Sequence, residues 1–306
     1  MIDSVRIGTR GSPLALWQAD WVKKSLARLG ISSCIEIIRT SGDKHTQGPL
    51  ADKGGKGLFV KELEEALLQG TIDLAVHSLK DVPTALDPRF HLAAFLPRAD
   101  VRDCLVWPGP FTHITDLPPG LLLGSCSLRR ISQMLVLNPH LKVEPLRGNV
   151  ETRLEKVRTG RVGATLLAKA GLDRLGISDA GLLHPLPLED LIPAAGQGIV
   201  AIEIDTRQDP LRDLLSQIDC AEPRYAAEAE RTVVQTLGGT CVSPIGAYAS
   251  VDRDQLSVQA FVGDHQGRRT LRDSVTGPVH QRVELARGLA EGLLRSGAAE
   301  ILASCG

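Results

Sequence analysis

Aromatic residues make up only 3% of the 306-residue chain, which leaves few stacking platforms for single-stranded nucleic acid. Neither sign of charge dominates: 35 Lys and Arg stand against 36 Asp and Glu, a formal net charge of −1. A chain so balanced offers no global attraction to nucleic acid or to an anionic membrane. No apolar run approaches the roughly 20 residues that a bilayer-crossing helix needs. The opening stretch Met1-Ile2-Asp3-Ser4-Val5-Arg6 carries no signal-peptide pattern and reads as the lead into a first strand. The six cysteines, at 34, 104, 126, 220, 241 and 305, never pair as Cys-x-x-Cys. This spacing argues against a zinc knot or a disulfide scaffold and leads to the expectation of a reducing cytoplasm. Lys56 is followed by Gly57 rather than Ser or Thr, so the glycine-rich run there is not a nucleotide P-loop.

What is present is an ordinary globular composition, 43% hydrophobic and 23% charged, at a length that predicts two or three domains. Ile72 to Val76 is a short apolar run without alternation, the pattern of a strand buried on both faces of a parallel sheet. His77, Ser78, Lys80 and Asp81 then crowd its carboxyl end before Pro83 stops regular structure. Ligands of open α/β sheets bind at such strand ends. Upstream, Val5 to Gly8 reads as strand, with Ser12 as N-cap and Pro13 opening a helix. Leu14, Trp17 and Trp21 would form its apolar face, and Val60, Leu63 and Leu67 that of the next helix. The polar, glycine-rich Gly42–Gly57 between them has the length of a lid.

The same order recurs after residue 100. Leu121–Gly124 reads as strand, Ser125–Arg130 opens a helix, and Leu141–Leu146 is a strand ending in Arg147-Gly148-Asn149. A helix around Leu154 and Val157 and a strand near Ala164–Ala168 follow. Two such βαβαβ units predict a hinged pair of domains with a ligand cleft between them. Residues 193–216 contain another strand and short helix that would return to the first unit. From about residue 221 a helix, strands at Ile245–Val251 and Leu256–Val262, and a closing helix with Leu285, Leu289 and Leu293 predict a small α+β domain.

Arg10, Arg129, Arg130, Arg147 and Arg153 all fall at strand ends or in first helical turns, beside Ser12, Ser125 and Ser127 at helix starts. One such arginine is ordinarily a surface charge. Five at equivalent places around one cleft suit a ligand with several carboxylates or phosphates, because helix N-termini and guanidinium forks both favour anions. Asp81 is the one acid in this basic setting, which points to catalysis rather than binding. Buried cysteines usually act as small hydrophobes, the reading taken for Cys34, Cys104, Cys220 and Cys305. Cys241, after Gly238-Gly239-Thr240, is a candidate nucleophile or attachment point.

Seven motifs in order carry a closer resemblance. They are Arg10-Gly11-Ser12-Pro13-Leu14-Ala15, Gly54 through Glu62, His77-Ser78-Leu79-Lys80-Asp81-Val82-Pro83, Ser127-Leu128-Arg129-Arg130, Arg147-Gly148-Asn149-Val150, Pro193 through Gly198, and the Cys241 loop. From about Val5 to the C-terminus the chain resembles the porphobilinogen deaminase (hydroxymethylbilane synthase) family. The resemblance implies an α/β fold of two periplasmic-binding-protein-like βαβ domains with a cleft between them, plus a small C-terminal α+β domain. These would span residues 1–98 with 197–216, then 99–196, then 217–306. It implies a dipyrromethane cofactor held by a thioether to Cys241, and four porphobilinogen molecules joined head to tail with loss of ammonia. Asp81 would be catalytic. Lys80, Ser127, Arg129, Arg130, Arg147, Gly148 and Asn149 would hold the cofactor, and Arg10, Ser12, Arg153, Arg174, Gln197, Phe59 and Lys56 the substrate, with no metal. The family expectation is a cytoplasmic monomer whose partner is porphobilinogen, with no nucleic acid and no membrane. Thr240, Cys126, Ser41 and Glu151 depart from the family's usual glycine, serine, arginine and small residue.

Two rival readings compete. A non-catalytic two-domain receptor for a polycarboxylate would leave Asp81 and Cys241 without a task. A phosphate-sugar transferase would need a metal or nucleotide motif that the sequence does not contain.

Overall fold

The computed structural model of the chain describes residues 2–40, 60–240 and 242–305. Gly42–Gly57, read as a lid, and Ser41, Lys56, Phe59 and Cys241 lie outside the described residues.

Strand β1 (Ser4–Thr9) leads into helix α1 (Pro13–Arg28). The Ser12 hydroxyl accepts the Ala15 N–H at 3.3 Å and Pro13 takes the first helical position, so the start of α1 is where local chemistry puts it. Its buried face differs from the expected aromatic stripe. Ala19, Val22 and Leu26 are buried in the sheet core, with Trp21 only partly buried at its edge. Trp17 and Trp21 stack edge to face at 5.5 Å and turn toward Arg174, whose guanidinium lies 5.5 and 5.8 Å from the two rings.

Strand β2 (Ser32–Ile37) lies parallel to β1 at a sheet edge and leaves Cys34 exposed, contrary to its reading as a buried residue. Helix α2 (Lys61–Leu68) buries Leu63 and Leu67 as its spacing predicts, and Val60 just before it is buried too. Strands β3 (Leu74–Ser78) and β4 (Phe90–Phe95) follow, then β5 (Asp103–Val106) and β6 (Leu122–Gly124). Helix α3 (Leu128–Leu137), β7 (Lys142–Glu144), α4 (Val150–Arg158), β8 (Ala164–Ala168), α5 (Lys169–Arg174) and β9 (Leu183–Pro185) complete the second unit. Then come β10 (Val200–Asp205), α6 (Asp209–Leu215), α7 (Ala221–Thr236), the strands β11 (Ile245–Asp252), β12 (Gln255–Gly263) and β13 (Thr270–Pro278), and helices α8 (Arg282–Arg295) and α9 (Ala298–Ala303).

The strands form three sheets, ordered β2-β1-β3-β10-β4, β7-β6-β8-β5-β9 and β11-β12-β13. The first two match strand for strand. In each, the fourth strand runs antiparallel to both neighbours. The sheet around β3 is therefore mixed rather than parallel, although β3 is buried from Leu74 to His77 as expected. The α/β class, with two matched units and a small antiparallel-sheet domain, is the observed architecture.

The chain passes twice between the first two units, near residues 96–102 and 193–199. At the return crossing Gly196 (φ +77°) and Gly198 (φ +86°) need left-handed backbone. A Cβ at Gly196 would sit 2.6 Å from the Leu79 side chain, and one at Gly198 would sit 2.7 Å from the Ala99 carbonyl oxygen. The third domain ties into this crossing through Glu230 of α7, which is fully buried. Glu230 accepts the backbone N–H groups of Gly196 and Ala249 at 2.7 Å each, and the Arg98 guanidinium at 2.7 and 3.2 Å.

Candidate active site

A cavity of about 1140 Å³ opens where β1, β3, β6 and β8 end, the strand-end location expected of this class. Three helices start on it. Ser12 caps α1, the Ser127 hydroxyl accepts the Arg130 N–H at 3.5 Å to cap α3, and Asn149 Oδ1 accepts the Thr152 N–H at 2.8 Å to cap α4. Their combined dipoles make the cavity attractive to anions before any side-chain charge is counted.

The arginines there fall into two kinds. Arg129 and Arg130 are buried and share one carboxylate, Asp103 of β5. Arg129 Nη1 reaches Asp103 Oδ2 at 2.7 Å, while Arg130 reaches Oδ1 through Nε at 3.0 Å and Nη2 at 2.6 Å. Although burial opposes ionisation of Asp103, the two guanidinium groups hold its carboxyl well below the usual carboxylate range. Two cations against one anion leave a net positive charge behind the cavity wall. Nothing in the sequence reading marked Asp103; a lone acid at the head of the apolar run Cys104-Leu105-Val106 was the available signal.

Arg147 and Arg153 are the second kind. Arg147 Nε and Nη2 are buried without a hydrogen-bond partner among the described residues, an arrangement that disfavours folding unless a ligand accepts from them. Arg153 Nε donates to the Gly148 carbonyl at 2.8 Å. Burial, helped by the Arg130 charge, lowers the Arg153 guanidinium to about 10, so it stays cationic at neutral pH.

Lys80 and Asp81 lie on the 3₁₀ turn Leu79–Asp81 that ends β3. Both line the cavity, and Asp81 faces the fields of Lys80 and Arg153. Burial and then the Arg130 charge push the Lys80 ammonium down to about 8, partly offset by Asp81 and Asp103. Lys80 Nζ donates to Gln197 Oε1 at 3.4 Å, and Gln197 Nε2 donates to Val101 O at 2.8 Å and Asp103 Oδ1 at 3.1 Å. Gln197 thus links a carboxylate of the second unit to a cation of the first.

Of the sequence-derived candidates, Arg10, Ser12, Lys80, Asp81, Ser127, Arg129, Arg130, Arg147, Gly148, Asn149, Arg153 and Gln197 all line this one cavity. Arg174 does not. Its Nη2 donates to the Gly198 carbonyl at 2.7 Å while the two tryptophans stack against it, so it braces the crossing between the units. Cys126, Glu151 and Thr240, the departures from the family pattern, line the cavity too. Arg231 of α7 also lines it and was not foreseen.

Residues 5–213 match the family described as porphobilinogen deaminase, dipyromethane cofactor binding domain, and residues 224–295 match that described as porphobilinogen deaminase, C-terminal domain. The porphobilinogen deaminase of Geobacter metallireducens is 43% identical over 301 residues, covering 98% of this chain and 94% of that protein. That of Bordetella parapertussis is 44% identical over 306 residues, covering 99% and 96%. The chain belongs to the porphobilinogen deaminase family. Acidithiobacillus ferrooxidans supplies another porphobilinogen deaminase at 44% identity over 304 residues, 99% of this chain and 98% of that one. Among solved structures, the periplasmic VFT2 domain of BvgS from Bordetella pertussis aligns at TM-score 0.41 and 16% identity, over 71% of this chain and 87% of that one.

A porphobilinogen deaminase carries a dipyrromethane cofactor, and the residues here fit one. Each pyrrole ring brings an acetate and a propionate, and the unpartnered buried donors of Arg147 beside three helix N-termini are suited to such groups. Thr240 and Val242, the neighbours of the candidate attachment cysteine, line the same cavity.

Proposed function

We propose that Asp81 does the proton work in this deaminase, and that the arginine-lined cavity holds the carboxylates of substrate and growing chain. The reaction joins four porphobilinogen molecules head to tail, with release of ammonia at each addition, to give hydroxymethylbilane. The dipyrromethane, when bound, supplies the primer to which the first ring is added. The observation that carries the reading is the Asp81 carboxylate on the turn after Lys80, in a cavity also lined by Arg10, Arg129, Arg130, Arg147 and Arg153.

As ammonia leaves the aminomethyl group, positive charge develops on the pyrrole nitrogen. A carboxylate at Asp81 stabilises that charge and handles the protons released and required. Arg147, Arg153, Arg10 and Lys80 anchor acetates and propionates and so orient the ring. Arg129 and Arg130 act mainly through their field, since Asp103 and backbone carbonyls occupy many of their donors. Ser12, Ser127, Gly148 and Asn149 present helix N-termini to the same carboxylates. Lys56, Phe59 and the thioether at Cys241 enter on the family's pattern alone, as do domain boundaries at 1–98 with 197–216, 99–196 and 217–306. A monomeric state and a cytoplasmic location belong to the same proposal.

The deciding experiment pairs intact-mass measurement with turnover. Wild-type protein should exceed its sequence mass by a dipyrromethane, Cys241→Ser should lack both the added mass and activity, and Asp81→Asn should keep the mass while losing about 10²–10⁴-fold in turnover. Near-normal turnover in Asp81→Asn would leave Asp81 a binding residue and sink the mechanism.

A further inference from the structure

Arg231 lines the cavity but has no part in the carboxylate-binding reading. Its Nη1 donates to the Val82 carbonyl at 3.2 Å, and its Nη2 to those of Pro83 at 2.6 Å and Thr84 at 3.1 Å. One guanidinium therefore gathers the three consecutive carbonyls that directly follow Asp81. Burial lowers this guanidinium to about 10, with the buried Glu203 carboxylate opposing the shift, so it is a cation at neutral pH. Cation-to-carbonyl hydrogen bonds in such a setting are among the stronger ones.

The rest of α7 explains why the clamp matters. Ala227, one turn earlier on the same helix face, packs in one buried cluster with Leu79 and Val82, the residues that bracket Lys80 and Asp81. Val234, three residues later, lines the cavity. From Arg231 the helix rises about 8 Å to its last residue, Thr236, and the loop carrying residue 241 follows. A single helix thus grips the Asp81 turn at its middle and delivers the attachment loop at its end. Two parts that must meet, a carboxylate from the first domain and a tethered chain from the third, share this one rod.

We propose that Arg231 is a positioning residue that holds Asp81 in register with the attachment loop. The inference rests on Asp81 being the catalytic carboxylate. Loss of the clamp leaves three carbonyls without their donor and frees the segment after Asp81. A displacement of about 1 Å at a reacting group costs on the order of 10²-fold in rate.

The test compares holoenzyme of Arg231→Gln, Arg231→Lys and Arg272→Gln. Arg272 ties the third domain to the second through the Asp190 carbonyl at 2.9 Å and Gln133 at 3.2 Å, without touching the Asp81 turn. Arg231→Gln should retain the cofactor mass, lose about 10–100-fold in kcat, and leave KM nearly unchanged, whereas Arg272→Gln should keep its kcat. Arg231→Lys, whose ammonium cannot span three carbonyls, should fall between and serves if the glutamine variant does not fold. In an Asp81→Asn background Arg231→Gln should cost nothing further, because a residue acting through Asp81 is non-additive with it. Unchanged kcat, a raised KM at unchanged kcat, an equal kcat loss in Arg272→Gln, or a full additional loss on top of Asp81→Asn would each overturn the proposal. Normal turnover in Asp81→Asn itself would remove its premise, a result distinct from all four.

Discussion

At the scale of single residues, the cleft is a problem of placing like charges close together. Lys80, Arg130 and Arg153 repel one another, and the proton on Lys80 is the one most easily lost. Its ammonium, ordinarily near 10.5, sits at about 8 because burial and Arg130 disfavour the charged form. A base with a lowered value loses its charge as pH rises through that value, so anchoring of carboxylates by Lys80 should fade above pH 8. The KM for porphobilinogen should climb from pH 7.5 to 9, and Lys80→Gln should start higher and lack that climb. A parallel climb in both proteins would assign it to another group. Stability should move the other way. The unfolded chain keeps this proton up to about pH 10.5, so the native state gains relative to it between 8 and 10.5. Most of these residues were legible beforehand because strand ends and helix starts are local patterns. Asp103 was not, since its partners at 129, 130 and 197 come together only through the tertiary fold.

At the scale of elements, the third domain is fastened to the interdomain crossing by a buried carboxylate together with the Ala247 N–H to Pro193 carbonyl bond at 3.0 Å. Glu230 is fully buried and receives two backbone amides and both arms of Arg98. Removing one partner of a buried ion pair strands the other, at a cost of about 3–5 kcal/mol. Glu230→Gln should therefore lower the unfolding midpoint by several degrees, with a larger loss at α7 than in the core of the second sheet when read by hydrogen exchange. A midpoint within a degree of wild type would show the latch to be dispensable. The start of α1 was legible from its Ser12-Pro13 cap, and α2 from its single Leu63-Leu67 stripe without a side-chain cap. In α1 two stripes competed: Ala19-Val22-Leu26 is the buried one, with Trp21 packed at its edge, while Trp17 is exposed and both indoles face Arg174. Strands β4, β5, β9 and β13 went unread. They have no flanking Asn-Gly or Asp-Gly turn, and β5 and β9 are only four and three residues long, so the existence of those two depends on neighbours distant in sequence.

At the scale of the whole molecule, the two matched sheets are built from the chain in different ways. The second sheet uses only residues between 103 and 185, so everything it needs is contiguous. The first has β10, residues 200–205, between β3 and β4. During synthesis from the N-terminus, then, the lobe that begins first is finished last. Until residue 205 has left the ribosome, Phe90–Phe95 lacks its partner, because β10 is its sole neighbour in the sheet among the described residues. Released chains truncated near residue 195 should show protease protection over 103–185 and none over 90–95. Released chains extended past residue 220, which include β10 and α6, should protect both. The insertion that joins the lobes by two crossings also makes the later-encoded lobe the earlier one to fold.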